Sequence, residues 1–429
     1  MKRFRLTVIA AALTMVLAFA GMSLAQEKIQ IEFWTISLAG PFTDWIEDFI
    51  ARYEAEHPNV EIVWVDVPGA DVAQKYLTAI SAGMAPDVAN VYGLAQLAEL
   101  DVLLDLNEYI SEEDKAAYFP DMIEPLTFNG KLLGLPWYGG GAAPIIYSRA
   151  VFEEAGLDPD SPPRTYAEAF EVSRKIKDAT GKYGLMTVLG QSHNKVDGGQ
   201  ELDWFIQYGI PLFSEDGKRA AFNTPEALEL LTELYELYSE GYLPQEALTA
   251  VWSEAQQWYI AGRGAFTLTG PQIINRATPE VLEALDTAVG YPIVGPTGQA
   301  LTSFQYVVIS GDTKYPEQAL DFALYVTGTQ LQIELIEQVA VFPSRPDVLE
   351  HPMFKVESPQ TLGEMARKRQ VEWDGGFAVS PTAIPPSTLW LELAQAFARE
   401  TQRMYTGQIT PKEALDNAEA AWNRILSRQ

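Results

Sequence analysis

Apolar and polar positions along the chain change from a period of two to a helical period and back again. Residues 29–34 alternate apolar and polar side chains, as a half-buried β-strand does. Apolar residues then recur at helical spacing over 42–53. Strand patterns return at 60–64 and 88–91, with a helical segment at 72–81 between them. This β-α-β-α-β order predicts a parallel sheet covered by helices on both faces.

Later helices begin with recognisable signals. Thr165 and Thr410 each stand three residues before a glutamate, which is the spacing of a capping box. Thr224 precedes a proline, the residue favoured at the first helical position. A strand is predicted over 305–309, and a helix follows Pro316. Strands and helices therefore continue to alternate, and the predicted fold class is α/β.

The first 25 residues have the three regions of a secretory signal peptide. Three of the first five residues are basic, residues 6–20 are uncharged and mostly apolar, and Ser23-Leu24-Ala25 places small residues at a cleavage triplet. The sequence predicts a signal peptide over 1–25, cut before Gln26. An uncleaved membrane anchor is the alternative, although the apolar run is shorter than the ~20 residues of a membrane span.

Composition and charge restrict the compartment and the partners. The chain has no cysteine, so a lipid anchor at the cleavage site is not expected, and a free protein in a periplasm is predicted. It carries 30 Lys and Arg against 58 Asp and Glu, a formal net charge of −28. Such a field repels nucleic acid and anionic membrane surfaces, so neither is expected as a partner. The chain is longer than a single hydrophobic core ordinarily supports, so the sequence predicts two lobes.

The sequence contains no recognisable catalytic or metal-binding motif. His57, His193 and His351 lie far apart, and none has a partner at the spacing of metal ligands. Gly139-Gly140-Gly141 lacks the lysine of a phosphate-binding loop. No cofactor and no metal are therefore predicted. Carboxylates are abundant, so a secreted carbohydrate-active enzyme with two cleft carboxylates remains the alternative function.

Aromatic residues mixed with polar ones occur where predicted strands end. Sugars offer flat C–H faces to aromatic rings and hydroxyls to polar side chains. Trp34, Tyr92 and Trp137 follow predicted strands, and Trp204 and Trp390 lie at later junctions. In open α/β sheets, ligands bind beyond the carboxyl ends of strands. These positions suit a sugar site, and packing in a core is the alternative for each ring.

A series of short motifs spans the chain from residue 31 to residue 415. Each motif is weak alone, and their shared order carries the information. The motifs are 31–34, 49–54 with 57–60, 81–83 with 85–88, 130–136, 163–168, 261–266 with 270–271, 316–319, 342–345 and 412–415. This order resembles the extracellular solute-binding proteins of ABC importers, in the carbohydrate-binding cluster that includes maltose-binding protein.

The resemblance implies a two-lobed periplasmic-binding-protein fold, with parallel-rich sheets flanked by helices and a ligand cleft between the lobes. Lobe 1 is expected to comprise 26–138 with 306–345, and lobe 2 to comprise 139–305 with 346–429. The implied function is that of a monomeric periplasmic receptor, which binds an oligosaccharide, glycoside or polyol and delivers it to the permease subunits of an ABC transporter. Peptide and phosphorylated ligands remain open.

The resemblance also implies which residues face the cleft. Relatives that bind maltose carry a tryptophan after a Gly-Pro pair, where this chain has Gln272. The change removes a stacking surface and adds hydrogen-bonding groups, which disfavours maltodextrin itself. The expected ligand-binding residues are Trp34, Ser37, Tyr92, Trp137, Asp203, Trp204, Gln272, Phe304, Gln305, Arg345 and Trp390.

Overall fold

A computed structural model gives the fold. It describes residues 28–40, 42–69, 71–91, 94–139, 143–190, 200–250, 252–268, 273–274, 276–338, 341–373, 377–379 and 389–428. The predicted signal peptide, Tyr92 and Gln272 lie outside the described residues.

Fourteen strands occur in the described residues. They are β1 Ile29–Ile36, β2 Val60–Val67, β3 Val88–Asn90, β4 Thr127–Phe128, β5 Lys131–Leu132, β6 Leu135–Gly139, β7 Pro144–Ser148, β8 Tyr183–Met186, β9 Gly264–Thr267, β10 Thr287–Pro292, β11 Ala300–Thr302, β12 Phe304–Ile309, β13 Phe342–Pro343 and β14 Phe377–Val379.

Sixteen α-helices connect these strands within the described residues. They are α1 Thr43–Glu56, α2 Val72–Ser81, α3 Leu94–Glu99, α4 Glu112–Ala116, α5 Pro120–Ile123, α6 Arg149–Glu154, α7 Tyr166–Thr180, α8 Gln200–Gln207, α9 Pro225–Ser239, α10 Trp252–Ile260, α11 Pro279–Ala284, α12 Pro316–Val326, α13 Thr329–Gln338, α14 Leu362–Val371, α15 Trp390–Tyr405 and α16 Pro411–Leu426. No helix among the described residues is long and apolar enough to cross a bilayer.

The first sheet has six strands in the order β13-β6-β12-β3-β1-β2. β1 pairs in parallel with both β2 and β3, which confirms the predicted β-α-β-α-β unit. β12 confirms the strand predicted near 305–309, but it runs antiparallel to β3 and to β6. The chain enters β12 from the second sheet, so no helical crossover returns it in the parallel direction.

The second sheet has four strands in the order β10-β7-β9-β8. β7 is antiparallel to β10 and β9, while β8 and β9 are parallel. The chain passes from the first sheet to the second between Gly139 and Pro144, and it returns to the first sheet at Phe304, directly after the short strand β11 that pairs with β14. A third passage lies between Phe354, which packs on the first lobe, and Leu362, which packs beside the second sheet.

Each sheet has its own hydrophobic core, which defines two lobes. The first core takes its buried side chains from residues 31–137 and 304–342, and it surrounds the six-stranded sheet. The second core takes its buried side chains from residues 145–293 and 390–426. Since the chain has no disulfide, burial of these apolar side chains is the main stabilising contribution, at about 25 cal/mol for each Å² of apolar surface.

The segment after residue 345 packs differently from the expectation. The predicted boundary assigns Val348 and Phe354 to lobe 2, yet both are buried in one cluster with Leu335 and Ile336 of α13. Two short 3-10 turns hold these apolar side chains against lobe 1. The chain therefore leaves lobe 1 only after residue 354, because burial of Phe354 keeps it there. The other lobe boundaries remain predictions.

The predicted helix starts are confirmed. Thr165 and Thr410 each accept from the backbone N–H three residues on, and the glutamate at that position bonds back, which completes two capping boxes. The Thr224 hydroxyl accepts from the N–H of Ala227 at 3.2 Å. Each such cap stabilises its helix by about 1 kcal/mol. These interactions are local, which is why the sequence alone predicts them.

Candidate ligand-binding site

One edge of the first sheet consists of strand ends that lie next to the passages to the other lobe. The carboxyl ends of β1, β2, β3 and β6 meet at this edge, and the antiparallel β12 and β13 begin there. Gly139 pairs with both Phe304 and Phe342. We call this row of strand ends the binding edge. It adjoins two passages between the lobes, where a ligand of an open α/β sheet is expected.

The end of β1 is fixed by hydrogen bonds to Asp66 of β2. The Thr35 hydroxyl donates to Asp66 Oδ1 at 2.7 Å, and the Leu38 N–H donates to the same oxygen at 2.9 Å. Trp64 Nε1 in turn donates to Thr35 Oγ1 at 2.8 Å. Asp66 was not among the predicted residues, because nothing in the alternation of β2 distinguishes it from a solvent-facing acid.

Ser37 lies in the turn that follows β1. Its φ of 53° is in the left-handed region, and its side chain is exposed at the binding edge. Its Oγ accepts a hydrogen bond from the Gly69 N–H at 3.0 Å, which ties this turn to the end of β2. Its hydroxyl proton can still be donated to another group. Contact with a ligand remains a prediction for Ser37.

Gln305 lies on β12 beside Asn90 of β3. Asn90 is 1% exposed, and its Nδ2 donates to Gln305 Oε1 at 3.0 Å and to the Tyr306 carbonyl oxygen at 2.8 Å. Gln305 is half-buried and stands one residue into the strand. The sequence predicted Gln305 and missed Asn90, whose partner is 215 residues away.

The predicted aromatic residues of lobe 1 are buried. Trp34 is 9%, Trp137 0% and Phe304 3% exposed. Trp34 packs edge-on against Tyr76 of α2, while its neighbour Phe33 packs against Trp137. Because successive side chains of a strand point to opposite faces, Trp34 and Trp137 lie on opposite faces of the sheet. The structure therefore does not bring these two rings together.

The predicted tryptophans of lobe 2 lie within its core. Trp204 is 0% exposed, with ring centroids 5.7 Å from Tyr166 and 6.1 Å from Phe170. Trp390 is 2% exposed and meets Trp422 edge-on at 6.1 Å. These contacts match the core-packing alternative that was open for both rings. Their part in ligand binding stays a prediction.

Asp203 and Arg345 complete the predicted set. Asp203 is half-buried on α8, next to the fully buried Trp204. Arg345 donates from Nε and Nη2 to the two oxygens of Asp347, both at 3.2 Å, and lies 5.3 Å over the ring of Tyr118. The Arg345 charge is therefore compensated within lobe 1. Among the described residues, Ser37 and Gln305 are the two predicted side chains that lie partly open along the binding edge.

A buried carboxyl group that the sequence did not single out lies inside lobe 2. Glu201 is 0% exposed, and its Oε1 accepts from the Gly190 N–H and from the Tyr405 hydroxyl, both at 2.9 Å. Its Oε2 is buried and has no hydrogen-bond partner among the described residues. Burial raises the pKa of Glu201 to about 7.

The fold and the binding edge define a class, that of two-lobed α/β binding proteins. Residues 39–333 match the model of the bacterial extracellular solute-binding protein family. The chain belongs to this family, and the membership predicted from the sequence motifs is confirmed. Such proteins are solute-binding receptors.

Relatives cover nearly the whole chain. The sn-glycerol-3-phosphate-binding periplasmic protein of Escherichia coli is 24% identical over 449 residues, which cover 97% of this chain and 97% of that protein. The maltotriose-binding protein of Pyrococcus abyssi is 26% identical over 233 residues, covering 52% of this chain and 46% of that protein.

A solved structure shares the fold over most of the chain. The cyclic alpha-maltosyl-1,6-maltose binding protein of Arthrobacter globiformis is 22% identical, and the alignment covers 94% of this chain and 100% of that chain with a TM-score of 0.76. At this identity the likeness shows the fold alone, and it agrees with the two lobes described above.

Proposed function

We propose that this protein is the periplasmic receptor of an ABC importer for a neutral sugar or polyol, released from its signal peptide and carrying no lipid anchor. The observation that carries the proposal is the chemistry of the binding edge. Among the predicted residues, the two that lie partly open there carry a hydroxyl and an amide, those of Ser37 and Gln305. Sugar hydroxyls both donate and accept hydrogen bonds, so neutral groups of this kind suit them.

The absence of basic groups along the described binding edge favours a neutral ligand over an anion. The segments 35–40, 66–69, 90–91, 138–139 and 302–305 contain no Lys or Arg. Arg345, the basic residue predicted to face the cleft, is already paired with Asp347. A phosphate or carboxylate here would lose hydration without gaining a cation, which is unfavourable.

The names of the relatives support a ligand rich in hydroxyl groups. Two of them are named for binding maltotriose and a cyclic maltosyl-maltose, and a third is named for binding sn-glycerol 3-phosphate. The third relative aligns with 97% of the chain, so a phosphorylated polyol is the second candidate. Ionic strength distinguishes the two classes, because screening weakens the binding of a charged ligand and leaves a neutral one nearly unaffected.

In the proposed mechanism, the sugar enters between the lobes and replaces water along the binding edge. The three passages between the lobes act as the hinge, and contacts from both lobes favour the closed form. The permease then distinguishes loaded from empty receptor by this closure. We expect the radius of gyration measured by small-angle X-ray scattering to fall when a bound sugar saturates the protein.

Calorimetric titration of the mature protein tests the proposal. Maltotriose, D-tagatose and sn-glycerol 3-phosphate are suitable probes, at low and at high salt. The expected result is binding of a neutral sugar with an affinity that hardly depends on salt. Chromatography of the recovered sugar should show it intact, which separates a receptor from the alternative of a carbohydrate-active enzyme. Binding of the phosphorylated probe alone, weakened by salt, would instead support the second candidate.

A further inference from the structure

We infer that Asn90 is a positioning residue, which turns the Gln305 side chain so that its NH2 group faces the ligand. This position would then recognise an acceptor oxygen on the ligand. The inference rests on the proposed receptor function. It adds a residue that the sequence did not single out, and it states which end of the Gln305 amide meets the ligand.

The orientation follows from a backbone carbonyl that can only accept hydrogen bonds. Asn90 has one side-chain atom within bonding distance of two oxygens, those of Gln305 and of the Tyr306 carbonyl. A carbonyl oxygen cannot donate, so the Asn90 atom facing Tyr306 must be the NH2 nitrogen. If the Asn90 amide were reversed, its Oδ1 would face the Tyr306 carbonyl oxygen, and two acceptors cannot form a hydrogen bond. The usual ambiguity between oxygen and nitrogen in an amide is therefore resolved here.

The orientation of the Asn90 amide also determines the orientation of the Gln305 amide. The NH2 of Asn90 has two protons, and one goes to each acceptor. Gln305 must offer its oxygen to the second proton, which leaves its own NH2 on the other side. Among the described residues, none accepts a hydrogen bond from Gln305 Nε2. Asn90 is 1% exposed, so it cannot exchange these partners for water without opening the sheet.

The location makes Gln305 suitable for contact with a ligand. It is three residues past Thr302, where the chain returns from lobe 2, and it pairs with Tyr138 one residue before β6 ends at Gly139. The side chain is half-buried at the binding edge. A donor held rigidly at such a point discriminates between ligands, because a ligand without an acceptor opposite it would leave the Gln305 NH2 buried without a partner. A hydroxyl, ring or carbonyl oxygen of the ligand fits it.

The orientation can be tested without any ligand. The full mature chain, labelled with ¹⁵N in its Asn and Gln side chains, gives amide signals that Asn90→Asp and Gln305→Glu would assign by their loss. In the ligand-free protein, the Asn90 NH2 protons should exchange with water at least about 10-fold more slowly than those of Gln305, because hydrogen-bonded protons are protected. Faster exchange at Asn90 than at Gln305 would overturn the inference.

The contact with ligand is tested by changing the end of the amide that Gln305 presents. Gln305→Glu keeps an oxygen for Asn90 and replaces the outward donor by an acceptor. We expect affinity for maltotriose, or for whichever of D-tagatose and sn-glycerol 3-phosphate binds, to fall at least about 10-fold, as the loss of a buried hydrogen bond implies. Unchanged affinity for every probe that binds would overturn this part.

A matched control is available in lobe 2. Asn423 uses its side-chain oxygen, which accepts from the Ala220 N–H at 2.9 Å. Asn423→Asp adds the same charge as Gln305→Glu and keeps its bond, so affinity should change less than about 2-fold. If none of the three probes binds the wild-type protein, the proposed choice of ligand fails. The exchange measurement still decides the Asn90 orientation in that case.

Discussion

Both lobes bury neutral polar side chains, and lobe 2 also buries a carboxyl group, that of Glu201. In lobe 1, Gln332 and Ser344 form a neutral network. Gln332 Nε2 donates to Ser344 Oγ at 2.8 Å and to the Thr327 carbonyl oxygen, and the Ser344 N–H donates to Gln332 Oε1. In lobe 2, the corresponding buried group is the carboxyl of Glu201, with one oxygen bonded and the other without a partner among the described residues.

Burial alone therefore does not determine how a polar group responds to a change of pH. The neutral network has the same protonation at every ordinary pH, so its contribution should be constant. The Glu201 carboxyl changes its charge within the accessible range, because burial raises its pKa to about 7. Lobe 1 should therefore be insensitive to pH in its interior, and lobe 2 should not be.

The largest effect is expected from the aromatic core of lobe 2. Trp390→Ala removes a ring that is 2% exposed against Trp422. The free energy of unfolding of the ligand-free protein should fall by about 3–5 kcal/mol, as measured by denaturant titration. Trp390→Phe should restore part of it. A weaker affinity for sugar with unchanged stability would mean that the ring stacks on ligand instead.

The next effect concerns pH and Glu201. The folded pKa is about 7 against an ordinary value of 4.5, so the folded state binds more protons than the unfolded state between these values. Stability from this group is fully present below pH 4.5 and is lost as the pH rises towards 7, by about 3 kcal/mol in all.

Glu201→Gln tests this pH dependence. The amide keeps an oxygen for the Gly190 N–H and the Tyr405 hydroxyl, and it does not titrate. The difference in melting temperature between variant and wild type should grow as the pH rises from 4.5 to 7 and then level off. A constant difference across this range would show that Glu201 titrates normally.

A smaller effect, independent of pH, is expected in lobe 1. Ser344→Ala leaves Gln332 Nε2 with one acceptor fewer. It also removes the donor to the Pro136 and Trp137 carbonyl oxygens, at 2.9 and 3.0 Å. The loss in unfolding free energy should be about 1–3 kcal/mol. Denaturant titrations at pH 5 and pH 8 should give the same loss, and a marked difference between them would contradict the comparison.

The smallest effect should come from a charge pair on the surface of lobe 1. Arg52 and Glu334 meet at 2.7 Å with side chains 40% and 20% exposed. Arg52→Gln should cost up to about 1 kcal/mol, and less in high salt, because exposed charges are screened. A salt-independent loss above that size would show that this pair behaves like a buried one.

The sequence predicted what depends on local pattern. The parallel unit of β1, β2 and β3 follows from periodicity, and the capping box of Thr165 involves residues three apart. It did not predict which face of a strand a ring occupies, and Trp34 and Trp137, both expected to face the cleft, lie on opposite faces of the sheet. Asn90 was missed because its role depends on Gln305, far along the chain.

A thermal-shift comparison of neutral sugars with sn-glycerol 3-phosphate on the purified mature protein tests whether the receptor binds a neutral ligand. A ligand at 100 times its dissociation constant adds about 2.7 kcal/mol to stability, which is readily measured as a higher melting temperature. At least one neutral sugar should give this rise, in low and in high salt alike. Stabilisation by sn-glycerol 3-phosphate alone, with every neutral sugar inactive, would contradict a neutral ligand.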